Sequence, residues 1–243
     1  MARLAERPMG PRASAAVLPV ASLENHGILP LGSDVLIAEC VASRLEAAIP
    51  ERKGVTIAPV IPYSTAVEHV GQGYTVSIRP PVFVEYLADV LRGLSTMARA
   101  VLVAVFHGGA YSASYLASRM VRSELKGYPI AIYNFWDAAA RVLSARFNVR
   151  SYPIHADPVE ASILLACGYT RGIREVGLEE VLAAVTARSR ELRQVIVPPW
   201  IGLDYDGFYP SDLVPANREL GEEIIKEAVE DMTALIDRLL GLV

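Results

Sequence analysis

Strand-like and helix-like segments alternate along most of this 243-residue chain. That alternation predicts an α/β fold in three layers, with a mostly parallel central sheet and helices on both faces. Two further observations support it. The strand candidates are short, nearly continuous apolar runs, as expected of strands covered on both faces. The segments between them carry apolar residues at helical spacing. Hydrophobic residues make up 52% of the chain, which excludes disorder for most of its length. No repeat, low-complexity block or linker-like shift interrupts it, so residues 1–243 read as a single domain.

The elements follow in order. AAVLPVA (15–21) predicts a first buried strand, and residues 34–50 a helix that stops at Pro50. VTIAPVIPY (55–63) predicts a second strand. Residues 81–97 predict a helix with proline near its start, where the missing N–H costs nothing. AVLVAVFH (100–107) is almost wholly apolar and predicts a central strand. Residues 112–125 predict a helix closed by Gly127, and YPIAIYNFW (128–136) a fourth strand. Helices are predicted through 157–166, about 177–194 and about 218–241. The stretch 197–215, rich in aromatics, prolines and aspartates, reads as a loop that lines a pocket, forms a subunit contact or simply packs on the surface.

Several function classes are disfavoured. The net charge is −4 with no basic block, so nucleic acid is not an expected partner. No apolar run reaches the roughly 18 residues of a membrane span. The first twenty residues lack the apolar core of a secretion signal, so a cytoplasmic location is expected. In that compartment Cys40 and Cys167, each in an apolar helical context, are expected to be buried free thiols. No Gly-x-Gly-x-x-Gly follows the first strand, which ranks a dinucleotide-binding fold low.

In parallel α/β sheets, sites form beyond the carboxyl ends of the strands. After the first strand come Glu24, His26 and Asp34. After the third comes His107, followed by Gly108 and Gly109, which permit a sharp turn or close approach of a ligand. Beyond the fourth come His155 and Glu160. The remaining histidine, His69, stands beside Glu68 and by itself reads as structural or exposed. Carboxylates with imidazoles and no cysteine suit zinc, manganese or iron. The competing reading is a set of unrelated polar residues around turns.

These segments resemble the creatininase (creatinine amidohydrolase) family. LPVASLENHGILPLGSD (18–34) resembles the family's LPxGSxEQHGxHLPLGTD, and FHGGA (106–110) its GHGGN. HADPVEAS (155–162) resembles HAGxxET-S, and PYSTAVEHVGQGYTVSI (62–78) resembles P-x-G-x-S-x-EH-x-x-FPGT-x-S. The resemblance covers about residues 15–165. It implies a creatininase-like fold and two divalent metal ions held by Glu24, His26, Asp34, His107 and Glu160, with Asp34 as the bridge. It implies a proton shuttle at His155, with Glu160 or Glu24 as an alternative base. Gly108, Gly109 and His69 are the candidate substrate contacts.

The chain also departs from the pattern. The first loop is one residue shorter before Asp34, Asn25 replaces Gln, Val105 and Ala110 stand where Asn is common, and Ala161 replaces Thr. Creatininase proper has a glutamate where this chain has Gly109, which points away from creatinine as substrate. The implied activity is metal-dependent hydrolysis of a non-peptide C–N bond. LENHG resembles the archaeal branch that deformylates 2-amino-5-formylamino-6-ribosylaminopyrimidin-4(3H)-one 5'-monophosphate, early in riboflavin and deazaflavin coenzyme synthesis. Arg79, Arg119 and Arg122 are candidate phosphate contacts for such a ribonucleotide. The alternatives are another cyclic or linear amide substrate, or a catalytically reduced metal-binding subunit. The resemblance further implies a homo-oligomer, from dimer to hexamer.

Overall fold

A computed structural model describes residues 3–7, 9–71, 73–149, 155–191 and 212–243. The main sheet has four strands, β1 (Ala15–Val20), β2 (Val55–Ile57), β3 (Val101–Val105) and β4 (Ile130–Asn134), in the order β2-β1-β3-β4. All three ladders are parallel, with Ala16 opposite Val101 and Val101 opposite Ile130. Every residue of β1 and β3 is buried, as their unbroken apolar runs require. The second strand is shorter than expected because Pro59 and Pro62 cannot donate to a ladder. The chain still runs beside β1, through Ala58 N–H to Val17 O and Ile61 N–H to Pro19 O.

Alternate side chains of β1 and β3 enter two separate cores. Ala15, Val17, Leu102 and Ala104 face the core built with α1 (Ser33–Ala48), α4 (Trp136–Phe147), α5 (Pro158–Ala166), α6 (Leu178–Glu191) and α7 (Arg218–Leu240). Ala16, Leu18, Val20, Val101, Val103 and Val105 face the core built with α2 (Pro80–Met97) and α3 (Tyr111–Glu124). These are the three layers expected from the sequence. One helix, α4, was not expected. Its buried stripe, Ala138, Ala139, Val142 and Leu143, is half alanine and gives little hydrophobic contrast. A separate parallel pair, β5 (Ile173–Glu175) and β6 (Val214–Ala216), was not expected either. Three residues are too few to display a period.

Strand order positions the site. From β1 the chain moves outward to β2, then crosses back to place β3 on the other side of β1. Successive connections thus leave β1 in opposite directions, and a crevice opens where the carboxyl ends of β1 and β3 meet. Two helix starts also point there. Asp34 lies in the first turn of α1 and Glu160 in the first turn of α5. A carboxylate is favoured at a helix N-terminus by the orphan N–H groups and the dipole. Asp157 caps α5 by accepting from the Val159 and Glu160 N–H groups. All nine residues of α5 are buried, so this helix is enclosed rather than laid on the surface. Gly221 lets α7 close on it, since a Cβ there would overlap the Ser162 carbonyl.

Among the described residues no helix is long and apolar enough to cross a membrane. Residues 197–211 of the loop predicted at 197–215, and the end of the helix predicted to about 194, lie outside the described residues.

The expectation of free thiols is corrected. Cys40 and Cys167 form a disulfide, with 5.9 Å between their Cα atoms. Cys40 lies within α1 and Cys167 caps the end of α5, and the packing of α1 against the end of α5 brings them together across 127 residues of sequence. The bridge joins the two helices whose first turns carry Asp34 and Glu160. Closing so long a loop restricts the unfolded chain and contributes about 2–4 kcal/mol. Reduction, or Cys40→Ser with Cys167→Ser, is expected to lower the melting temperature by on the order of 10 °C. An unchanged melting curve under reducing conditions would contradict a stabilising bridge.

Candidate metal centre

All four histidines of the chain converge at the crevice. The loop after β1 delivers the first three residues. Gly27, with φ of 58°, makes a tight turn, and Leu29 N–H bonds back to His26 O. Asn25 supports the turn by accepting from Gly27 N–H. Glu24, His26 and Asp34 are all at most 2% exposed.

The hydrogen bonding of His26 fixes what it offers. Its Nδ1 lies 3.0 Å from the Glu24 carbonyl oxygen. A carbonyl can only accept, so Nδ1 carries a proton and Nε2 is the nitrogen turned inward. That nitrogen faces Glu160 Oε1 at 3.2 Å, Asp34 Oδ1 at 3.6 Å and Glu24 Oε1 at 4.0 Å. A ring nitrogen aimed at carboxylates has a cation between them, either its own proton or a metal ion.

A second trio repeats the arrangement. His107 leaves β3 with Nδ1 3.2 Å from Glu24 Oε1 and 3.3 Å from Asp34 Oδ2. Asp34 therefore sits between two imidazoles, one facing each of its oxygens. Ser22 Oγ–H donates to Oδ2 at 2.8 Å and holds the carboxylate in place. Glu160 is held by the Ala156 N–H, which donates to Oε2 at 2.6 Å. Ala156 adopts φ of 49°, a left-handed conformation that costs about 1–2 kcal/mol in a residue with a Cβ. That strain is stored one residue from His155.

His155 donates through Nε2 to the Asn25 carbonyl, 3.0 Å away, and turns Nδ1 toward Glu24 Oε1 at 3.6 Å. His69 is 3% exposed, stacks on His155 with 4.0 Å between ring centroids and places Nε2 3.6 Å from Glu24 Oε1. It belongs to the cluster and not to the surface, as the resemblance implied and the isolated residue did not. Glu68 is the residue that sequence reasoning missed. Its Oε1 lies 3.2 Å from His107 Nε2. Gly108 and Gly109 are exposed next to buried His107. Arg79, Arg119 and Arg122 are exposed, and Arg119 lies over the Tyr115 ring. Among the described residues no lysine or arginine forms an ion pair with the cluster's carboxylates.

The electrostatics follow from this packing. Burial works against a charged imidazole at His26 and His107, yet Glu160 and Asp34 hold the first, and Glu24 and Asp34 the second, well above the usual histidine range. Burial would raise Asp34, but His107 and His26 hold its carboxyl below the usual range. Glu68 is likewise lowered by His107 against the effect of burial. His155 goes the other way. Burial and then the neighbouring His26 and His69 push it well below the usual histidine range, so the ring is neutral. Glu24 Oε2, His26 Nε2 and His107 Nε2 are buried without a hydrogen-bond partner. Of these, Glu24 Oε2 and His26 Nε2 are the kind of unpartnered buried atoms that a metal ion would satisfy. Grouped donors within coordination reach of one another include Glu24, His26 and Asp34, then His26, His155 and Glu160, then Glu24, His69 and His155.

Comparisons with known proteins identify the family and the fold. The family model described as creatinine amidohydrolase (creatininase) matches residues 4–236. No curated protein sequence matches. A putative creatinine amidohydrolase from Bacteroides fragilis superposes with a TM-score of 0.65 at 20% identity, covering 94% of this chain and 90% of its own. A solved structure described as creatininase Mn gives 0.65 at 20% identity over 93% and 91%. A mutant creatininase complexed with creatine gives 0.65 at 20% over 92% and 91%. At these identities the structural likeness is one of fold. The family match spans nearly the whole sequence, and the chain belongs to the creatininase family of metal-dependent amidohydrolases.

Proposed function

We propose that residues 1–243 form one creatininase-like domain that uses two divalent metal ions to hydrolyse a non-peptide C–N bond of a small amide. One observation carries this reading: the two oxygens of Asp34 each face a different inward-turned histidine nitrogen. The residues present fit a pair of cations. Asp34, His26 and Glu160 would hold one, and Asp34, His107 and Glu24 the other. Zinc, manganese and iron all suit this mixture of carboxylate and imidazole. When bound, such ions supply Lewis acidity toward an amide carbonyl and toward water at neutral pH.

The chain's own groups do the rest. Gly108 leaves an open approach beside His107, whereas Glu68 fills the space at Gly109, and His69 backs the His155 ring. His155 is the proton-transfer residue. Its Nε2–H is engaged by the Asn25 carbonyl, so Nδ1 is the atom that takes a proton from attacking water and returns it to the leaving nitrogen. Asn25, the position that distinguishes LENHG, thus orients this ring through its backbone. Glu160 is tied to the Ala156 N–H and to His26, which suits a ligand better than a base.

For the substrate, LENHG supports the formylamino-pyrimidine ribonucleotide, with formate as the product. A second reading, another cyclic or linear amide, is favoured by the lack of any paired cation at the cluster among the described residues. The paired loops that carry Leu23 and Val76 expose Ile28, Leu31, Val67, Val70 and Tyr74, and this apolar rim supports a homo-oligomer.

Three outcomes check the proposal. Asp34→Ala is expected to abolish binding of both ions, read by plasma mass spectrometry of purified protein after metal loading; retention of one ion would remove the bridging role. His155→Ala is expected to lower kcat by about 10²–10⁴-fold with metal content intact, and unchanged turnover would remove the shuttle. In a screen of loaded protein, release of formate from the formylamino-pyrimidine ribonucleotide would establish the first substrate. Turnover of other amides alone would establish the second, and loaded protein inert to all of them would leave a metal-binding subunit.

A further inference from the structure

His107 faces a carboxylate at each ring nitrogen. Nδ1 faces Glu24 and Asp34, while Nε2 has the Glu68 carboxylate 3.2 Å away. Glu68 comes from a different part of the chain, the 3₁₀ turn Val67–His69, and its side chain is only 14% exposed. It is therefore no ordinary surface partner. Gly109 supplies an independent observation. A Cβ built there would overlap Glu68 Oε1 and stand 2.6 Å from both Glu68 Cδ and His107 Nε2. The φ of Gly109 lies outside the left-handed region, so room for a neighbour, not backbone freedom, accounts for the glycine.

We propose that Glu68 is a positioning residue: it holds His107 with Nε2–H toward its own carboxylate and Nδ1 unprotonated toward Glu24 and Asp34, and Gly109 is the residue that gives it room. An imidazole binds a cation through the nitrogen that lacks the proton, and an outer carboxylate on the other nitrogen selects that tautomer and fixes the ring plane. The carboxylate that completes the site next to His107 thus arrives from the 62–78 segment and crosses the position that residue 109 leaves empty. This rests on the two-metal reading above.

The test uses zinc alone as the probe, in competition with a chromophoric chelator. The full chain is compared with Glu68→Ala, Glu68→Gln, Gly109→Ala and the Glu68→Ala/Gly109→Ala double variant, with melting curves to establish folding. Glu68→Ala is expected to weaken the His107-linked zinc by about 10–100-fold. Glu68→Gln keeps an acceptor oxygen and is expected to recover most of that loss. Gly109→Ala is expected to weaken zinc alone but to add little in the double variant, because the collision partner is gone. Zinc affinity within twofold of the parent in Glu68→Ala, or no recovery with Gln, would overturn the role of Glu68. Additive losses in the double variant would overturn the link to Gly109. A parent that takes up no zinc would instead overturn the two-metal reading itself.

Discussion

Glu24, Asp34 and Glu160 are buried almost completely, and the groups they meet are the nitrogens of His26 and His107, which are buried as fully. An ionised carboxylate taken from water without a partner costs several kcal/mol even after relaxation. Three of them around one crevice demand positive charge. Protonated imidazoles can meet part of that demand, and the raised affinity of His26 and His107 for protons reflects it. Two dications would meet it more fully, because each would be shared by two carboxylates and one ring. Asp34 is the member common to both trios, so the arrangement depends on its position more than on any other side chain.

That position is set by the fold at two levels. Parallel strands covered on both faces put their loops at one end, and the reversal of strand order beside β1 leaves a gap there. Helix α1 then begins directly after the β1 loop, so Asp34 enters the gap on a first turn whose N–H groups favour an anion. Helix α5 does the same for Glu160, under the Asp157 cap. The Cys40–Cys167 bridge and the close seat of Gly221 on Ser162 fasten α5 against α1 and α7. Scaffold contacts well away from the crevice therefore fix the separation of the two acidic helix starts.

Much of this was readable from the sequence, for physical reasons. β1 and β3 are apolar enough to announce burial on both faces, and α1, α2, α3 and α7 carry clear helical spacing. His26, His107 and His155 each follow an apolar strand or precede a helix start, which is where a parallel fold collects ligands. Other features depend on tertiary proximity that no local pattern encodes. Cys40 and Cys167 lie 127 residues apart, and the reducing-compartment expectation pointed the other way. His69 reads as an isolated residue until its ring is seen stacked on His155. Glu68 carries no periodic or spacing signal. Its place becomes visible only through the missing side chain of Gly109, a residue that by itself suggests a loop requirement. The strand at 55–63 breaks after Ile57 because two prolines remove donors, a local cue that the apolar run outweighed.

The shared role of Asp34 is tested most directly by anomalous diffraction from crystals of the protein loaded with zinc or manganese. Two peaks are predicted, one among His26, Asp34 and Glu160 and one among His107, Asp34 and Glu24, with Asp34 touching both. No peak, or a single ion held by Glu24, His69 and His155 with Asp34 left out, would contradict it.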